Sequence, residues 1–250
     1  IEVDEEVMEK YFEGEIPSDE QLAKLAVQAV AAGSLVPILC CSAKTGVGLD
    51  EILDLIASFG LDPTILPCKG LDGEDEIEVK PDPNGPLVAH TFRTRIDPFV
   101  QKLSFIRVYS GTLKRDAHVP TSSSRKDVKM GQLFEVQGAE TAAIEQATPG
   151  DIIAVSKMED LHTGTSIGTV RMPAIPFPSP MVGLAVLPRS RGDETKLSGA
   201  LHKVVEEDST FRLDRDAQTK ELVMTGMSEL HLNVIQERLA RRDKLEIDTR

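Results

Sequence analysis

Hydrophobic residues in the first quarter of the chain recur three and four positions apart. This spacing predicts two helices within residues 5–32, and Ser18 followed three residues later by Gln21 predicts a capping box at the start of the second helix. The apolar run at residues 35–41 then predicts a buried parallel strand, and the periodicity of residues 49–59 predicts an amphipathic helix. A strand, a loop and a helix in this order are typical of part of an α/β domain.

The middle of the chain, residues 87–172, alternates short runs of β-branched and aromatic residues with turn signals. Along one of these runs Phe105 and Tyr109 point to one face of a strand, whereas Ile106 and Val108 point to the other. Strands with apolar groups on both faces, placed at regular spacing, predict a closed β-barrel. The predicted strands are residues 87–93, 102–109, 117–121, 129–135, 151–157 and 165–170.

The last part of the chain predicts a strand, a helix, two strands, a helix and a final strand. These elements are residues 181–187, 195–206, 211–215, 221–225, 228–241 and 244–248. Their βαββαβ order predicts a ferredoxin-like domain. Two stretches rich in proline, glycine or acidic residues, 63–86 and 173–180, are interpreted as linkers. The predicted fold class is therefore α+β multidomain, with a partial α/β domain (1–62), a β-barrel (87–172) and a ferredoxin-like domain (181–250).

The composition narrows the class of protein. The chain has 250 residues, enough for two or three domains, and its formal net charge of −13 argues against non-specific binding to nucleic acid, DNA included. Its three cysteines give no disulfide framework, so we expect a reducing cytoplasm. No apolar stretch approaches the ~20 residues of a membrane helix, and the acidic start is unlike a signal peptide. Because the chain begins without methionine, we expect it to be part of a longer protein.

Two segments resemble a known family. Residues 97–112 read Asp-Pro-Phe-Val-Gln-Lys-Leu-Ser-Phe-Ile-Arg-Val-Tyr-Ser-Gly-Thr, a strand between turns predicted at Pro98 and Gly111. This segment closely resembles the second, barrel domain of elongation factor G. Residues 226–233, Gly-Met-Ser-Glu-Leu-His-Leu-Asn, resemble the signature of that family's third domain. Ser228 is one departure from the signature, and we interpret it as the N-cap of the helix that follows.

The resemblance covers essentially the whole chain and implies a function for the parent protein. Residues 1–62 resemble the end of a GTPase domain with its inserted helical subdomain, followed by domains II and III. The parent is expected to be a cytoplasmic factor that binds GTP or GDP with Mg²⁺. It would bind the ribosome, through ribosomal RNA and small-subunit proteins, and use GTP hydrolysis to move transfer and messenger RNA. The alternatives are a ribosomal protection-type or other specialised paralogue, and a standalone interaction module without GTPase function.

Ser42, Ala43 and Lys44 follow the first predicted strand, where a GTPase-type fold has its guanine-reading loop. A small residue there lets a backbone N–H reach O6 of guanine, where adenine presents an amino donor instead. The sequence contains no Gly-x-x-x-x-Gly-Lys-Ser/Thr loop and no strand-borne aspartate placed for Mg²⁺. We therefore predict an incomplete site, with no catalytic residue, no metal site and neither GTP nor GDP bound to this chain, so that only the parent would be a GTPase.

Two further groups of side chains are candidates for contacts. Arg125, Lys126 and Lys129 form the one basic cluster of the predicted barrel, and this cluster is either a solvated hairpin or a contact with ribosomal RNA. His231 lies two positions after Glu229 on a predicted helix, where the two side chains do not face each other. A packing or interface role is therefore expected for this histidine rather than proton transfer.

Overall fold

A computed structural model describes residues 3–62, 68–97, 101–138 and 140–250 of the chain. The chain divides into two compact units, Ile1–Pro67 and Cys68–Arg250. The second unit contains a hairpin, a sheet domain that we call the β-domain (residues 87–172), and the ferredoxin-like domain (residues 181–250). None of the described helices is long and apolar enough to span a membrane.

The described part of the N-terminal unit contains three helices, as the periodicity predicts. They are α1 (Glu5–Phe12), α2 (Asp19–Ala31) and α3 (Leu49–Phe59). The predicted capping box is present, because the Gln21 amide donates to Ser18 Oγ at 3.3 Å and the Ser18 amide donates to Gln21 Oε1 at 2.9 Å. Two of the backbone donors at the start of α2 therefore have side-chain partners.

The buried strand predicted at residues 35–41 is wrong, because this segment pairs with no described strand. Its apolar side chains are exposed: Leu35 by 44%, Val36 by 75% and Ile38 by 90% of their surface. Their apolar character would suit a sheet position, but a strand exists only where a neighbour accepts and donates its backbone hydrogen bonds.

A β-hairpin occupies part of the segment predicted as the first linker, residues 63–86. Strands β1 (Cys68–Asp72) and β2 (Asp75–Val79) pair antiparallel around Gly73, which has a φ of +66°. Leu71 and Arg171 exchange backbone hydrogen bonds of 2.7 and 2.9 Å, which tie the hairpin to the end of the β-domain. Acidic and glycine residues gave this segment the composition of a linker, although the backbone around a tight turn needs the same residue types.

Among its described residues, the β-domain contains ten strands. Six of them form one antiparallel sheet in the order β12-β3-β4-β11-β8-β9. The strands are β3 (Val88–Asp97), β4 (Gln101–Ser110), β5 (Leu113–Lys114), β6 (His118–Val119), β7 (Val128–Lys129), β8 (Leu133–Gln137), β9 (Glu140–Ile144), β10 (Gln146–Ala147), β11 (Ile152–Ser156) and β12 (Ser166–Gly168). The single strand predicted at residues 129–135 is divided between β7 and β8, and β5, β9 and β10 were not predicted.

Residues 115–122 link the two edges of this sheet. The Ser122 amide donates to the carbonyl of Ser166 in β12, and the Arg115 amide donates to the carbonyl of Glu145, just after β9, both at 2.9 Å.

The sheet encloses an aliphatic core that includes Ile106 and Val108 from one face of β4. Tyr109 on the other face packs against the hairpin. The two-faced character predicted for β4 is therefore confirmed.

Of the two turns predicted around β4, only one lies within the described residues. Gly111 has a φ of +70°, and a Cβ at this position would lie 2.6 Å from Leu87 Cα. Glycine is therefore required here both by the backbone conformation and by the close approach of a second segment. Pro98, where the other turn was predicted, lies outside the described residues.

The ferredoxin-like domain has the predicted βαββαβ order. Its elements are β13 (Val182–Pro188), α4 (Glu194–Glu207), β14 (Arg212–Arg215), β15 (Leu222–Gly226), α5 (Glu229–Arg238) and β16 (Ile247–Thr249). The antiparallel sheet has the order β14-β15-β13-β16, and the two helices cover a core that includes Leu201, Phe211 and Leu232. Helix α5 ends in a π-helical turn, Leu239–Asp243, and Lys244 leaves this turn with a φ of +54°.

Candidate functional site

Residues 42–48 form a tight loop that leads into α3. The Ser42 amide donates to the Val47 carbonyl and the Gly46 amide donates to the Ser42 carbonyl, each at 2.9 Å. Ser42 is half-buried, whereas Ala43 and Lys44 are exposed. Within the described residues, the amides of Ala43 and Lys44 have no hydrogen-bond partner. The loop therefore presents two free backbone donors next to each other, which is the chemistry needed to bind a carbonyl oxygen of a ligand.

In the parts of the chain that the structure describes, no group of three or more histidine, cysteine, aspartate and glutamate side chains could hold a metal ion. The acidic residues nearest in sequence, Asp50 and Glu51, lie in the first turn of α3, where they complement the positive end of the helix dipole.

The basic cluster lies on the loop between β6 and β7, with Arg125 and Lys126, and at the end of β7, with Lys129. Lys129 forms an ion pair of 2.9 Å with Asp116, and the hydrogen bond from Lys129 holds the pKa of the Asp116 carboxyl below its usual value. Arg125 and Lys126 are exposed and form no ion pair within the described residues. Lys129 is therefore paired, whereas Arg125 and Lys126 are available to a partner.

The imidazole ring of His231 has two hydrogen-bond partners, and neither of them is Glu229. The Met227 amide donates to Nδ1 at 3.1 Å, so Nε2 carries the proton and donates to Asp208 Oδ2 at 2.9 Å. Burial raises the pKa of the Asp208 carboxyl, but hydrogen bonds from Thr210 and His231 outweigh burial and lower it overall. The arrangement ties the start of α5 to the end of α4. The predicted N-cap is also present, since Ser228 Oγ accepts from the His231 amide at 3.1 Å.

The β-domain and the ferredoxin-like domain meet at a charged contact that the sequence did not reveal. Lys102, on β4, has a side chain that is only 4% exposed, and its Nζ lies 2.7 Å from Glu206 Oε2 on α4. The same ammonium donates to the Glu159 carbonyl at 3.2 Å. His162 Nδ1 also lies 2.9 Å from Glu206 Oε2. Burial raises the pKa of the Glu206 carboxyl, but hydrogen bonds from Lys102 and His162 outweigh this effect and lower it.

The neighbouring Glu207 makes a second contact between the two domains. Its Oε1 accepts from the Ile96 amide of β3 at 2.8 Å. Its Oε2 lies 3.1 Å from Arg238 and 3.2 Å from Arg242 within the ferredoxin-like domain, and the side chain is 7% exposed. We call Glu206, Glu207 and Asp208 the acidic triplet, because three consecutive carboxylates at the end of α4 each have different partners.

The acidic triplet could have been noticed in the sequence. Carboxylates at the C-terminus of a helix oppose the helix dipole, so a run of them at that position indicates partners elsewhere. A cleft of about 600 Å³ lies beside the contact, and its walls include Lys102, Glu206 and Arg242. No sequence pattern identifies Lys102 as the partner of Glu206, because 104 residues separate the two.

The order of a β-domain and then a ferredoxin-like domain is the one that the resemblance to a translation factor predicts for this chain. Residues 86–170 match the family profile described as elongation factor G domain 2, and residues 177–250 match the profile described as Elongation Factor G, domain III. The two matches together cover more than half of the chain. The chain belongs to the elongation factor G family.

Individual relatives agree with this assignment. Elongation factor G of Fervidobacterium nodosum is 37% identical over 246 residues, which are 96% of this chain and 36% of that protein. Elongation factor G of Ureaplasma parvum is 35% identical over 98% of this chain and 36% of its own length. A crystal structure of a protein from Thermus thermophilus superposes over 100% of this chain and 36% of its own, with a TM-score of 0.79 and 31% identity. The chain thus spans about a third of the length of the relatives that it matches.

Proposed function

We propose that this chain supplies the end of the nucleotide domain, the β-barrel and the third domain of a GTP-driven ribosomal translocase. Its alignment over 96% of its length with Elongation factor G of Fervidobacterium nodosum carries the proposal. In this proposal the β-domain is the barrel, with residues 115–122 closing its sheet. The whole protein would act in the cytoplasm, bind GTP or GDP with Mg²⁺, and move transfer and messenger RNA on the ribosome. The names of the relatives favour this function over a protection-type paralogue.

A chimera tests the proposal directly. The matching third of Fervidobacterium nodosum elongation factor G is replaced by this chain, and ribosome-dependent GTP hydrolysis and movement of messenger RNA are measured. We expect both activities to be retained. A folded chimera that hydrolyses GTP on the ribosome without moving messenger RNA would indicate a protection-type factor. A folded chimera that no longer binds the ribosome would indicate a standalone interaction module.

The loop at Ser42, Ala43 and Lys44 would contact the guanine base in the whole protein. The free amides of Ala43 and Lys44 support this role, since a base carbonyl is a suitable acceptor for them. Because the phosphates would have no partners here, this chain alone is expected to bind neither GTP nor GDP. Titration calorimetry of the chain with GTP and Mg²⁺ checks this, and an affinity in the micromolar range would contradict it.

Arg125 and Lys126, with Lys129 beside them, would contact ribosomal RNA. Their exposure supports this role, whereas the ion pair with Asp116 leaves Lys129 less available. Charge reversal of Arg125 and Lys126 in the chimera is expected to weaken ribosome binding and to flatten its dependence on salt, because fewer counterions are released. Lys129→Glu serves as the comparison and is expected to have the smaller effect. Unchanged binding and salt dependence in the double variant would refute the contact.

A further inference from the structure

The β-domain and the ferredoxin-like domain have separate hydrophobic cores. The core of the β-domain includes Ile106 and Leu133, and that of the ferredoxin-like domain includes Leu201 and Leu232. Among the described residues, no cluster of buried apolar side chains contains members of both domains. Burial of apolar surface therefore stabilises each domain, but it does not fix the orientation of one relative to the other.

Polar contacts at the last turn of α4 fix that orientation instead. Glu206 contacts the Lys102 ammonium, and Glu207 accepts from the Ile96 amide. Ile96 and Lys102 are direct partners across the β3–β4 ladder. Two consecutive carboxylates thus bind two positions on a single rung of the sheet. A geometry of this kind is satisfied in one relative orientation of the domains and is lost when the domains rotate or slide.

The carboxylates of α4 and the donors of the β-domain stabilise each other in this contact. Glu206 and Glu207 lie at the negative end of the α4 dipole, where carboxylates are unfavourable without partners. Lys102 is almost fully buried, and a buried ammonium without an anion is costly. The Ile96 amide lies on a part of the β3 edge beyond Val88–His90, the residues of β3 that pair with β12 in the described part of the chain. Glu207 therefore acts as the missing neighbour of that edge.

We propose that Glu206 and Glu207 form an interdomain latch with Lys102 and the Ile96 amide. The latch holds the β-domain and the ferredoxin-like domain in one orientation, and it releases as a unit because no apolar cluster among the described residues spans the two domains. This inference deepens the proposed function, since domains that transmit a GTPase signal need discrete arrangements with contacts that differ between them. Glu206 and Glu207 are positioning residues in this role.

Amide exchange of the chain alone tests the latch without ribosome or nucleotide, so its failure is distinguishable from failure of the proposed function. In the double variant Glu206→Ala/Glu207→Ala, exchange of the Ile96 amide is expected to rise about tenfold or more, because a charge-assisted hydrogen bond is lost. The core amides of Ile106 and Met224 are expected to keep their protection. The matched control is Glu246→Ala/Asp248→Ala, which removes two exposed carboxylates that pair with Arg189 in the same domain.

Two milder variants keep the test informative if the double variant unfolds. Glu207→Gln retains an oxygen acceptor for the Ile96 amide, so the exchange of that amide is expected to lie between the wild-type rate and the rate in Glu207→Ala. Lys102→Met removes the buried charge and is expected to raise exchange at Ile96 as well, because releasing Glu206 loosens the same rung. Exchange at Ile96 that is unchanged in all variants, or that rises only together with the Ile106 and Met224 amides, overturns the latch.

Discussion

His231 is a histidine whose two ring nitrogens are both occupied by structural partners. Nδ1 accepts from the Met227 amide and Nε2 donates to Asp208, so neither nitrogen is free to exchange a proton with a substrate. The ring is partly buried, with 20% of its side-chain surface exposed. At the scale of the residue, this histidine joins two helices through the hydrogen bonds of its ring.

Replacement of His231 tests this structural role. His231→Ala leaves the Met227 amide and the Asp208 carboxylate without their partners, so the free energy of unfolding is expected to fall by about 1–3 kcal/mol. Urea unfolding of the chain measures the change. His202→Ala, on the exposed face of α4, is the matched control and is expected to stay within about 0.5 kcal/mol of wild type. Equal effects of the two substitutions would contradict the role assigned to His231.

His90 predicts a dependence of stability on pH. Burial lowers the pKa of this histidine from its ordinary value of 6.5, although a backbone hydrogen bond at Gly164 acts in the opposite direction. As the pH falls through 6.5, the unfolded chain binds the proton before the folded chain does, so folding stability is lost. The loss is at most about 1.4 kcal/mol per pH unit.

Urea unfolding at about pH 7.5 and about pH 5.5 measures this dependence. The difference in unfolding free energy between the two pH values is expected to be smaller in His90→Gln than in wild type. His118→Gln, at an exposed position in β6, is expected to retain the wild-type dependence. If His90→Gln loses as much stability on acidification as wild type does, the assigned contribution of His90 is wrong.

Residue patterns predicted local partners well and distant partners poorly. Ser18 with Gln21 and Ser228 with the His231 amide lie within one helical turn, and both were predicted. The partner of Glu206 is 104 residues away, and only the folded chain brings the two together. The sequence did not identify Asp208 as the partner of His231 for the same reason. Glu229 was considered as a partner because it lies close to His231 in the sequence.

At the scale of elements, helix caps explain one departure from the family signature. Ser228 has an extended backbone, with φ −159° and ψ 167°, and its hydroxyl accepts from the His231 amide. Ser228→Ala is expected to reduce the unfolding free energy by about 1 kcal/mol, whereas Ser228→Gly is expected to reduce it by only a few tenths of a kcal/mol. Urea unfolding distinguishes the two variants. A glycine variant less stable than the alanine variant would show that the hydroxyl is not the main contribution of this cap.

Elements were predicted where the sequence itself supplies the pairing or the packing. Helices α1 to α3 and the βαββαβ order follow from periodicity and caps, and they are confirmed. The strand predicted at residues 35–41 failed because hydrophobicity indicates burial but does not supply a partner strand. The β1–β2 hairpin was missed because its polar composition resembles that of a linker. Strands of two residues such as β5 and β10 exist only through tertiary pairing, so no local pattern indicates them.

At the scale of the whole molecule, apolar burial is distributed unevenly. Among the described residues of the N-terminal unit, Leu25 is the one hydrophobic side chain that is fully buried. Helix α3 exposes Leu49, Leu53 and Ile56 along one face. The unit has helices of 8, 13 and 11 residues, and helices shorter than about 12–15 residues are marginal in water without packing. The β-domain, in contrast, has a continuous buried core.

This distribution predicts that the N-terminal unit opens far more readily than the β-domain. Amide hydrogen exchange followed by mass spectrometry, at protein concentrations where size exclusion shows a monomer, is expected to give fast exchange in α1, α2 and α3. Strands β4 and β11 are expected to be protected, because they lie inside the six-stranded sheet. Within the chimera, where the rest of the nucleotide domain is present, the same helices should become protected as their apolar faces are covered. Protection of residues 3–60 equal to that of β4 in the isolated monomer would show that the N-terminal unit is stable by itself, against the expectation from its exposed apolar surface.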